Sequence, residues 1–217
     1  MKRPSGFTLI ELSIVLVIIG LLLGGVLKGQ ELIASAKVKN MAGDFKSIQV
    51  MLYGYQDKFR ALPGDDAGVV SHVSGGTLAQ GGTPGNAVIE GDWDSIDSKD
   101  ESFLFWQHVR LAGLAAGSAD PATPEYLPRN ADGGRLGVQS IGAFRTAGIT
   151  DASLTGLYVA CSDGVAGKLA KQLDVTLDDG ATASGAVRAI KQAGMPGPSL
   201  TTDKVADNDI FTVCMTF

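Results

Sequence analysis

Gly6-Phe7-Thr8-Leu9-Ile10-Glu11, continuing without another charge to Leu27 and ending at Lys28, is the stretch that decides how this chain folds. Lys2 and Arg3 precede it. From Phe7 to Leu27 there are 21 residues and one acid, Glu11. A helix rises about 1.5 Å per residue, so the run spans roughly 30 Å, the thickness of a bilayer's hydrocarbon core. A carboxylate in such a core costs on the order of 2.5–3.5 kcal/mol, so Glu11 is expected to have a partner. A secretory signal fits poorly, because its shorter apolar region is followed by a small-residue cleavage site. Here the small residue, Gly6, comes before the apolar run. Cutting after it removes both charges and keeps the helix.

A Gly, an aromatic, and an acid five residues into the new chain, all fused to a long apolar helix, resemble the leader of type IV pilins and pseudopilins. The resemblance implies cleavage between Gly6 and Phe7 by a membrane prepilin peptidase, then N-methylation of Phe7. It gives Glu11 a role in assembly: the acid meets the N-terminal amine of a neighbouring subunit, neutralising both and setting register. A plain membrane anchor with a snorkelling or protonated Glu11 is the alternative. Fainter head motifs look like a group of bacterial prepilin-type proteins. They are Tyr53-Gly54-Tyr55-Gln56-Asp57 with Leu62-Pro63-Gly64-Asp65, then Phe105-Trp106-Gln107-His108, then Leu173-Asp174 with Leu177-Asp178-Asp179-Gly180.

Charge is unevenly placed. Residues 1–60 carry eight Lys/Arg and four Asp/Glu, whereas residues 61–217 carry ten and nineteen, a net of −9. An acidic head disfavours phosphate contacts, so no nucleic-acid partner is expected and a DNA-uptake role is disfavoured. The positive leader keeps the N-terminus cytoplasmic and sends the C-terminal bulk across the membrane. Cys161 and Cys214 are the two cysteines. In an exported domain an even count reads as a disulfide, worth roughly 4 kcal/mol across this loop in the chain-entropy model. Two buried free thiols are the alternative. The resemblance adds that many type IV pilins close a C-terminal loop with a disulfide.

Helical periodicity continues past the apolar run through Leu32, Ile33, Ala36, Met41, Phe45, Ile48, Leu52 and Tyr55. One helix is therefore expected over about residues 7–58, stopped by Leu62-Pro63-Gly64-Asp65. Its membrane half contains Gly20, Gly24, Gly25 and Gly29. These permit either close helix packing or local unwinding. Residues 63–100 read as a long irregular loop. Further helices are expected over Glu101–Leu114 and Lys168–Val175. Strands are expected over Arg135–Phe144, Leu154–Cys161, Ala186–Ile190 and Ile210–Phe217.

Asp92, Asp94 and Asp97, followed by Asp100 and Glu101, form an acidic run with the oxygen chemistry Ca²⁺ takes. Their spacing is not that of an EF-hand, and a solvated loop is the plainer reading. Asp178 and Asp179 are a second candidate for a structural calcium, and some pseudopilins hold calcium in C-terminal loops. No other cofactor is expected. His108 reads as a packing or surface residue, and Trp93 and Trp106 as core or loop anchors.

The expected fold is α+β, with a long N-terminal helix packed on a small antiparallel sheet. Residues 1–6 are the leader, 7–28 the membrane and assembly helix, 29–60 its amphipathic continuation, and 61–217 the head. The expected function is structural and not enzymatic: a major or minor pilin polymerising through its first helix. A type II secretion pseudopilin is the runner-up, and an enzyme or binding domain anchored by a pilin leader is the alternative of another class. Expected partners are copies of itself and other pilins, the prepilin peptidase, an inner-membrane assembly platform and membrane lipid. The chain is expected in the inner membrane before assembly, and in an extracellular pilus or periplasmic pseudopilus after it.

Overall fold

A computed structural model describes residues 8–142, 154–191 and 198–217. The element order is α1 (Leu9–Phe59), α2 (Val69–His72), α3 (Glu101–Leu111), β1 (Leu136–Ser140), β2 (Tyr158–Ala166), α4 (Gly167–Leu177), β3 (Val187–Lys191), a 3₁₀ turn (Thr202–Lys204) and β4 (Ile210–Thr216). The chain forms two compact units, Met1–Lys37 and Val38–Phe217. The fold is α+β.

In the first unit α1 is continuous through all four glycines, and a methyl group on any of them would meet no neighbour within 4 Å. Its apolar side chains are exposed, as are Leu32 and Ile33. That differs from the periodic reading, which put these two on a buried face. The head's core begins at Val38, and from there Met41, Ala42, Phe45, Ile48, Leu52 and Tyr55 are buried at helical spacing.

The sheet order is β1-β2-β4-β3, all antiparallel. Successive residues of a strand face opposite sides. β1 is buried along its whole length and β2 along its first five residues, so the sheet is covered on both faces. This explains why the strands lack an alternating pattern. α4 contacts β2, β3 and β4, and α3 contacts β1. The second strand starts later than the expected Leu154–Cys161, because Gly156 turns the chain at φ 130°. It then runs through an irregularity between Ser162 and Val165 to Ala166. The first ends at Ser140, and Phe144 lies outside the described residues.

α3 stops three residues short of the expected Leu114. Gly113, at φ 76°, lets the Leu114 N–H reach Val109 O and its own N–H reach Arg110 O. These are the two bonds of a glycine-terminated helix end. Arg110 then reaches back to the carbonyls of Ala116, Ser118 and Tyr126. The region read as an irregular loop contains α2, whose Val69 packs with Tyr55 and Val73.

Candidate functional site

Two regions gather the chemistry-bearing residues: the start of α1 and a set of buried acids in the head. Gly6 and Phe7 lie outside the described residues. Thr8 and Glu11 open the helix. The Thr8 N–H and hydroxyl donate to Glu11 Oε2 at 2.8 and 2.7 Å, and the Glu11 N–H donates to Thr8 Oγ1 at 3.3 Å. This is a capping box, which satisfies helix-end donors reciprocally. Its sequence signal is Thr8-x-x-Glu11, hidden at the edge of the apolar run. Beyond it α1 carries a stretch long and apolar enough to cross a membrane, none of it buried in the fold. The stretch ends at an exposed Lys28–Glu31 ion pair of 2.7 Å.

In the head, Asp66 is 1% exposed and accepts three hydrogen bonds. They come from the Tyr55 hydroxyl at 2.6 Å, His72 Nδ1 at 2.7 Å and the Gly68 N–H at 2.8 Å. Burial pushes its carboxyl up, but these bonds outweigh it and hold the group below the usual carboxylate range. Burial and the bond to Asp66 push the Tyr55 hydroxyl up. His72 stacks on Phe59 at one wall of a cavity of about 310 Å³ that Arg60 and Leu62 also line. Asp65, next in the chain, accepts the N–H groups of Gly85, Asn86 and Ala87.

His108 is fully buried, as a packing residue. Its Nδ1 accepts the Gly64 N–H at 2.9 Å, so the proton is on Nε2, which meets Thr77 O at 2.8 Å. Burial pushes its pKa down. Trp106 is buried against Phe105, and Trp93 packs on the core cluster formed by Val159, Ile190 and the cysteines. Both act as anchors.

Glu101 has no exposed surface. Its Oε2 accepts the Glu90 N–H at 2.8 Å, and its Oε1 has no hydrogen-bond partner among the described residues. Burial pushes the carboxyl up to about 7 against that bond, with the charges of Asp65, Glu90 and Asp100 adding to the rise.

The sequence-derived calcium candidates separate. Asp94 pairs with Arg135 at 2.9 Å, and Asp97 accepts the Lys99 N–H. With Asp92, they form no set of close carboxylates among the described residues. Asp178 and Asp179 do, together with Asp174: one carboxylate oxygen of each lies within 4.8 Å of the others. Asp174 is fully buried in the last turn of α4, with its carboxyl pushed up to about 6 by burial. The sequence shows it in the motif Leu173-Asp174 but not as a ligand, because it lies on the helix one turn before Asp178.

Cys161 and Cys214 are joined. They face each other directly across β2 and β4, and both are fully buried.

Residues 1–27 match the family described as the prokaryotic N-terminal methylation motif. No curated protein and no solved structure matches the chain. The motif is the prepilin-type cleavage and methylation signal of type IV pilins and pseudopilins.

Proposed function

We propose that this chain, a type IV pilin-like or pseudopilin protein by its N-terminal signal, is a structural subunit, a major or minor pilin of a type IV pilus-like filament. The observation that carries the reading is the match over residues 1–27, fused to a helix whose apolar surface stays exposed. Such a surface needs lipid or other helices around it. Lipid covers it while the subunit is in the inner membrane, and copies of the same helix cover it in the filament. Processing falls between Gly6 and Phe7, Phe7 is methylated, and Glu11 meets the amine of a neighbour's Phe7. The head brings a disulfide-locked domain to the filament surface.

The test is fractionation of cells that contain a complete assembly machine. Recovery of the chain in sheared extracellular filaments supports the pilus. Recovery only in a periplasmic assembly dependent on a secretion machine makes it a pseudopilin. Permanent retention in the membrane fraction favours an anchored domain.

A further inference from the structure

We propose that Asp174, Asp178 and Asp179 hold one calcium ion at the turn between α4 and β3. The carboxylate oxygens lie within 4.8 Å of one another. Calcium takes oxygens at about 2.3–2.6 Å in flexible geometry, so three carboxylate oxygens this close can share one ion. Magnesium demands a near-ideal octahedron at about 2.0–2.1 Å and gives up its waters reluctantly, so an irregular carboxylate turn of this kind suits calcium better.

A second observation points to a ligand. Asp174 has no exposed surface, and its Oδ1 accepts the Gly180 N–H at 2.7 Å. Its Oδ2 has no hydrogen-bond partner among the described residues. A buried carboxylate oxygen is rarely left so. A cation shared with Asp178 and Asp179 satisfies it.

The turn holds its acids in place without the ion. Asp178 Oδ2 accepts the N–H groups of Ala186 and Val187. A side chain on Gly185 would collide with that oxygen. Asp179 accepts the Ala181 N–H and the Ser184 hydroxyl, both at 2.8 Å. Each oxygen keeps lone-pair capacity for a metal. Arg188, also buried, donates to the carbonyls of Gly185 and Val187 and acts electrostatically on Asp174 and Asp179. One guanidinium against three carboxylates leaves two negative charges, the complement of a divalent ion. Asp179 is exposed, so water completes the coordination from the solvent side. The site does not depend on whether the filament is a pilus or a pseudopilus.

The experiment uses the full-length chain in detergent, stripped with EDTA and titrated calorimetrically with calcium chloride. The expected result is saturable one-site binding with Kd about 10⁻⁴–10⁻³ M, the range of extracellular calcium modules. Magnesium chloride should compete weakly. Asp174→Asn keeps the shape and the acceptor for Gly180, and should weaken calcium binding at least tenfold. Asp179→Asn, at an exposed position and with an amide oxygen still able to accept the Ala181 N–H, should weaken it comparably and decides the matter if Asp174→Asn does not fold. Asp97→Asn should bind as wild type. Absence of saturable binding in wild type, or wild-type affinity in Asp174→Asn or Asp179→Asn, overturns the site. So does equal stabilisation by Asp174→Asn with and without calcium, the signature of a merely protonated buried acid.

Discussion

Glu11 is bonded to Thr8 within its own subunit, each closing on the other at the first turn of α1. The acid thus has donors before any neighbouring chain supplies one, which lowers the cost of carrying it into lipid. Thr8→Val removes the hydroxyl from both ends of this exchange. It should cost about 1 kcal/mol of helix-end stability. Amide hydrogen exchange over the first turn, measured in micelles, should quicken relative to wild type while exchange beyond Lys28 stays unchanged.

Glu11→Val makes the span more apolar, so membrane insertion should be kept or improved and processing should largely survive. Assembly should fail, because the amine of a neighbour's Phe7 would meet no carboxylate, and an unpaired charge in an apolar interior is strongly unfavourable. The ratio of sheared-filament to membrane-bound protein should drop more than tenfold, with Glu11→Asp as a length control. Wild-type incorporation of the Val variant rejects the pairing.

The mature chain should begin at N-methyl-Phe7. Intact-mass and N-terminal peptide analysis of membrane-extracted protein checks this. A start beyond residue 27 contradicts it. Gly6→Ala should slow cleavage, and a bulkier residue at that position should block it.

Breaking the Cys161–Cys214 bond should weaken the head at its centre. The two residues are opposed on the strands β2 and β4 and enclose a sequence separation of 53. Cys214→Ser should cost about 2–5 kcal/mol and expose the last strand to proteolysis. Two alkylatable thiols in natively exported wild-type protein contradict the bond.

Glu101 should make the head less stable as pH rises. Its folded pKa, about 7, lies above the ordinary value of 4.5, so the folded state holds the proton longer than the unfolded one. Stability from this group is therefore full below about pH 4.5 and lost progressively as pH rises through 7. His108, pushed down by burial, acts in the opposite sense on its acid side: its contribution is lost as pH falls below the unfolded histidine value. Glu101→Gln should raise stability at pH 8 by on the order of 2 kcal/mol and flatten the slope between about pH 5 and 7. Denaturant unfolding at pH 5 and pH 8 checks it, and an unchanged slope contradicts the assignment.

The long helix was legible because its apolar run and the Leu62-Pro63-Gly64-Asp65 stop are local, while the Thr8–Glu11 cap at its start went unread. The start of α3 at Glu101 was legible too, although the helix ends at Leu111, three residues before the expected Leu114. The pairing of Cys161 with Cys214 followed from their number. The strands were legible in place but not in length, because a sheet covered on both faces shows no alternation, and Gly156 moves the start of β2 past the apolar residues Leu154 and Leu157. The head's acids were the least legible. Asp65, Asp66 and Glu101 look like loop or helix-start charge in the chain, and only the tertiary structure shows each one buried against backbone N–H groups that lie 2–22 residues away. Gly64 shows the same limit. Its turn chemistry is visible, but the Glu101 carbonyl that a side chain there would strike is 37 residues on.

The sheet order has a kinetic side. β4 follows every other described strand in the sequence yet lies between β2 and β3. Until Ile210–Thr216 has been synthesised and delivered, β2 has an open edge and β3 has no partner in the sheet. Cys161 likewise waits for Cys214. The head therefore cannot close while its chain is still emerging. Closure of the described sheet waits on its last described strand, which joins β3 to β2 and is then tied to β2 by the Cys161–Cys214 bond.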